Sequence, residues 1–75
     1  MRVMNCYTIF DRPDDHPGYF VVRRFIIEPG ATRPTPDFWL ALTLEDARRL
    51  VPDDVGLACF PRADGDPPAV VETWL

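Results

Sequence analysis

Residues 19–28 read Tyr-Phe-Val-Val-Arg-Arg-Phe-Ile-Ile-Glu, and Pro29-Gly30 ends the run. β-Branched and aromatic side chains at this density specify a strand. Side chains alternate across a strand, so Tyr19, Val21, Arg23, Phe25 and Ile27 share one face, while Phe20, Val22, Arg24, Ile26 and Glu28 share the other. Both faces are mainly apolar, and each has to be shielded from water. A chain of 75 residues offers one domain with which to do so.

The neighbouring segments supply partners. Residues 3–10 are β-branched and aromatic and run into Asp11-Arg12-Pro13-Asp14-Asp15-His16-Pro17-Gly18, a dense turn signal, which predicts an antiparallel pairing of the first two strands. Residues 29–37 hold three of the nine prolines and predict an irregular connection, because Pro34 and Pro36 push the residues before them out of helical geometry. Residues 38–42 fit either a short edge strand or an extended lead into a helix. That helix is well marked: Thr43 caps it, Glu45 and Asp46 lie in its first turn, Arg48 and Arg49 in its last, and Pro52 ends it. Leu44, Ala47, Leu50 and Val51 fall on its apolar side. Residues 55–60 and 69–75 are two further strands, joined by the turn-rich residues 61–68. The expected fold class is α+β, a small antiparallel sheet of about four strands with one short helix on one face, in the order β-β-(β)-α-β-β, forming a single domain.

A helix of about 12 Å, at 1.5 Å per residue, covers only part of one sheet face. The second face is left to the proline-rich loops, a partner subunit or a ligand. Size points the same way. Burying the apolar share of an 8.6 kDa chain contributes on the order of 110 kcal/mol. Ordering its residues, at ~1.5 kcal/mol each, costs about as much. A lone copy is marginal, and self-association follows as an expectation.

Other classes are disfavoured. The net charge of −4 provides no overall attraction for phosphate backbones or anionic lipid, so neither nucleic acid nor a membrane is an expected partner. The sequence contains no Ser, Lys or Gln, which removes serine nucleophiles, Schiff-base lysines and phosphate-loop lysines. Asn5 and Thr8 interrupt the apolar start that a signal peptide needs, and no run has transmembrane length. Cys6 and Cys59 lie in no CxxC pair, so a cytoplasmic protein with two reduced thiols is expected.

Tyr7-Thr8-Ile9-Phe10-Asp11, Pro13 and Pro17 before Phe20-Val21-Val22-Arg23, Thr43-Leu44-Glu45 with Ala47-Arg48 and Val51-Pro52, and Val71-Glu72-Thr73-Trp74 together resemble a group of short uncharacterised bacterial proteins. The likeness spans nearly the whole chain and implies no activity. Members of that group often carry His at the position of Arg12 and an aromatic residue at that of His16. The resemblance thus implies that His16 is a poor candidate for an essential role.

Four constellations bear on chemistry. Asp11, Asp14, Asp15 and His16 gather oxygen and nitrogen donors of the kind that bind Mn²⁺, Zn²⁺ or Mg²⁺, although Asp and Pro also make turns without a metal. His16 could be paired with Cys6 or Cys59 as a nucleophile, but nothing in the spacing supports a catalytic set, and strand cysteines are usually core residues. Arg23 or Arg24 could anchor a carboxylate ligand, with Glu72 or Glu28 as the alternative ion-pair partner. Phe38, Trp39 and Trp74 are candidate interface anchors. The expected function is a small non-enzymatic interaction domain that forms a homodimer or binds a protein partner through its sheet, without a cofactor. The alternative is a small-ligand or metal-binding module centred on the 11–18 loop.

Overall fold

The computed structural model describes residues 4–52 and 58–75. Strands β1 (Met4–Asp11), β2 (Phe20–Glu28) and β3 (Ala31–Ala41) precede helix α1 (Leu44–Leu50), and β4 (Cys59–Pro61) and β5 (Val70–Trp74) follow it. One antiparallel sheet results, in the order β3-β2-β1-β5-β4. Val3 and residues 55–57, expected in the first and fourth strands, lie outside the described residues.

The expected class holds, with five strands in place of about four. The correction comes mainly from residues 29–37, which are not an irregular connection: β3 begins at Ala31 and runs through both prolines. The bias that Pro34 and Pro36 impose on their neighbours is toward extended backbone, which an edge strand also uses. A missing N–H costs nothing on the side that faces solvent. Between Arg23 and Phe25 the β2–β3 register shifts, and the Thr35 hydroxyl donates to the Arg24 carbonyl at 2.9 Å and accepts from the Asp37 N–H at 3.2 Å. Gly30, at φ +80°, supplies the left-handed turn that joins β2 to β3.

Thr43 caps α1 by accepting the Asp46 N–H at 3.1 Å. Ala47 and Val51 are buried against Tyr7, Ile9, Val22 and Ala41, with Leu44, Phe20, Val71 and Trp74 packed around them. Leu50, expected on that face, is exposed instead. At ~100° per residue it falls well to one side of Val51, whereas Arg48 lies roughly 40° from Leu44 and shares the inward stripe. The sheet therefore has a helix-covered face, carrying Tyr7, Ile9, Val22, Arg24 and Trp39, and a helix-free face, carrying Cys6, Thr8, Phe10, Val21, Arg23, Phe25, Ile27, Phe38 and Leu40. Among the described residues no helix is long and apolar enough to cross a membrane.

Candidate functional site

On the helix-free face, two loops from the same end of the sheet lean over the strands. The first leaves β1 at Arg12, a non-glycine residue with φ +46°, and closes through hydrogen bonds from the Arg12 N–H to the Tyr19 carbonyl (3.0 Å) and from the His16 N–H to the Pro13 carbonyl (2.9 Å). It sets the His16 ring against Phe38, with centroids 5.2 Å apart. The Arg23 guanidinium stacks over the same Phe38 ring at 5.2 Å and donates to the Asp15 carboxylate. Asp15 also lies 3.5 Å from His16 Nδ1. The second loop is stiffened by Asp66, whose carboxylate accepts the Ala63 N–H at 2.9 Å and whose carbonyl accepts from Arg62 at 2.8 Å.

Alongside the second loop the face is open. A shallow groove of about 380 Å³ runs over Cys6, Thr8, Phe10, Phe25, Ile27 and Thr73, with Asp66 and Pro67 on its rim. The Thr8 and Thr73 hydroxyls are 3.3 Å apart and bond to each other across the strands. Burial pushes the Cys6 thiol above its ordinary pKa, so it is a small apolar floor residue and not a thiolate. On the strands of the same face, Met4, Phe38, Leu40 and Phe60 are all between 41% and 52% exposed.

The other face has its own polar cluster, which joins the helix to the sheet. The Glu72 side chain is only 7% exposed. It accepts from Arg48 Nε at 3.0 Å, from the second Arg48 nitrogen at 2.8 Å, and from the Trp74 indole N–H at 2.8 Å. The Arg48 bonds, aided by the indole, hold the Glu72 carboxyl below its ordinary pKa despite its burial. Desolvation and the neighbouring Glu72 raise the Cys59 thiol. Sequence reasoning did not find this cluster, and the one available signal was the position of Arg48 on the apolar stripe of its helix.

Comparison with protein-family models, curated proteins and solved structures found no match. Function therefore rests on what the side chains can do where they stand.

The expected ligand set is distributed over both faces. Arg23 is on the helix-free face with Asp15; Arg24, on the helix-covered face, bonds Asp37 at 2.8 and 2.9 Å and Asn5 at 2.8 Å; Glu72 is engaged by Arg48. Both arginines are ion-paired, though with Asp15 and Asp37 and not with Glu72 or Glu28, and Glu28 binds Arg33. The acidic loop does not converge on a point. Asp11 is bonded to Arg12 and Asp15 to Arg23, and among the described residues no three His, Cys, Asp or Glu side chains group as metal ligands. Of the three aromatic anchors, only Phe38 is on the helix-free face; Trp39 packs on Tyr7 and Trp74 on the core. Cys59, read as a core residue, is exposed in the short edge strand β4. The constellation that remains is an apolar sheet face with a single charged side chain on its strands, Arg23, neutralised by Asp15.

Proposed function

We propose that the protein is a small non-enzymatic interaction domain that associates with a second copy of itself through its sheet. The observation that carries this reading is the apolar helix-free face, whose strands carry half-exposed Met4, Phe38, Leu40 and Phe60 as well as the open groove. An exposed patch of this kind is costly in a monomer and is the usual mark of a contact surface. A net charge of −4 favours a protein partner over nucleic acid, and two free cysteines agree with a cytoplasmic setting. The likeness to short bacterial proteins belongs to the same reading.

Size exclusion coupled to light scattering at micromolar concentration tests it. The expected mass is about twice the 8.6 kDa of one chain. A mass near 8.6 kDa throughout the range removes the reading.

A second reading, a small-ligand module, is favoured by the groove, whose volume of about 380 Å³ falls within the size range of small-molecule sites. Cys6, Phe10, Phe25, Ile27, Pro67 and Val70 make most of its lining apolar, so its ligand would be largely apolar, with the Thr8, Thr32 and Thr73 hydroxyls among its few polar contacts. The metal-binding form of this alternative predicts that Zn²⁺ or Mn²⁺ at 100 times its Kd adds about 2.7 kcal/mol of stability. A rise of several degrees in Tm with one metal, abolished by Asp15→Ala or His16→Ala, would replace the first reading with this one.

A further inference from the structure

We infer that the second copy docks face to face, its helix-free face against the same face of the first, and not by adding strands at an edge of the sheet. This rests on the self-association reading and narrows it to one surface.

Edge pairing needs an uninterrupted row of free N–H and C=O groups. At one edge, β3 carries Pro34 and Pro36 and a register shift in its middle, where the Thr35 hydroxyl bonds both the Arg24 carbonyl and the Asp37 N–H. At the other, β4 has three residues and ends on Pro61. Prolines, irregular register and shortness are the features that keep sheet edges from pairing. The helix-covered face is the less open one: α1 covers its core, and beyond the helix it presents the Arg24–Asp37–Asn5 network and the Glu28–Arg33 pair, which are solvated ion pairs, with Trp39 as an exposed aromatic side chain on its strands.

The helix-free face has the right size and chemistry. With ~4.8 Å between strands and ~3.3 Å per residue, five strands of which the central pair has 8 and 9 residues span roughly 600 Å² in projection, part of which the loops at His16 and Pro67 already cover, as buried Val21 and Val70 show. A standard interface takes about 800 Å² from each partner, which the flanking loops at Asp15 and Pro67 can complete. A second copy also suits the charge. Each chain carries −4 overall, but the strands of this face carry only Arg23, already paired with Asp15, so apposing two of them brings little like charge together. Two sheets packed in this way lie about 10 Å apart, with Phe25 and Ile27 of each copy between them.

The experiment compares the intact chain with Met4→Glu and Phe60→Glu, which put a carboxylate on the face, and with Arg33→Glu on the β3 edge. Light scattering across a dilution series reads Kd, and circular dichroism reads the fold. Both face variants are expected to raise Kd at least 100-fold with an unchanged spectrum, because an unpaired charge would be buried in the contact. Arg33→Glu is expected to change it less than threefold. If Phe60→Glu loses its fold, Met4→Glu, altered at a half-exposed side chain, decides alone. A dimer that survives Met4→Glu but dissociates in Arg33→Glu overturns the face-to-face arrangement and leaves self-association intact. An intact chain that is monomeric at every concentration overturns both.

Discussion

Replacing Glu72 with Gln keeps the shape of the side chain and removes its charge, which isolates the link between α1 and the sheet. In the native protein the carboxylate accepts three N–H groups, two from Arg48 and one from Trp74. Hydrogen bonds to a charged group each contribute ~1.5–3 kcal/mol and neutral ones about 1. The amide retains one acceptor oxygen but turns an NH₂ group toward a donor. Because the Arg48 side of the pair is solvated, the loss is discounted to about 1.5 kcal/mol. In a domain of this size that lowers Tm by about 6–12 °C at pH 7. The pH dependence follows from the lowered carboxyl pKa of Glu72 in the folded chain. A group of that kind adds stability above its unfolded pKa, and the contribution disappears as pH falls through the folded value. The Tm gap between native chain and Glu72→Gln should therefore be full at neutrality and shrink toward zero below the ordinary carboxylate range. Thermal unfolding by circular dichroism from pH 7 to pH 3 measures it. A gap under about 2 °C at pH 7, or one that persists undiminished at pH 3, refutes the reasoning.

Three further outcomes are expected. Ile9→Ala, at a fully buried position, should cost ~2–5 kcal/mol and leave the chain largely unfolded in urea concentrations that the native protein withstands. Gly30→Ala should cost about 1 kcal/mol, read from the denaturation midpoint, because φ +80° strains an L side chain even where a Cβ meets no neighbouring atom. Thiol labelling at pH 7 should modify exposed Cys59 before buried Cys6, and neither faster than a free thiol, since both thiols are shifted upward; rapid modification of either, followed by mass spectrometry, contradicts this.

Much of the architecture is written in local patterns. The alternation of residues 19–28 and the turn residues after Asp11 specify β1 paired with β2, and Thr43, Asp46 and Pro52 delimit α1 to within two residues. These features depend on neighbours in the chain, so periodicity, capping and proline geometry suffice to read them. The extent of β3 was not legible, because extended backbone around Pro34 and Pro36 is equally compatible with a loop, and only its pairing with β2 makes it a strand. The candidate site was legible only in outline. The two apolar faces of β2 follow from the sequence, but which one stays uncovered depends on where α1, the His16 loop and the Pro67 loop come to rest. Likewise, Arg23 and Arg24 announce charge without announcing partners, and Asp15, Asp37 and Asn5 reach them only through folding. The chain's local chemistry determines which segments extend and which coil, because those preferences act over a few residues. Pairing of charges and exposure of faces are decided by contacts between residues far apart in sequence, and these exist only in the tertiary structure.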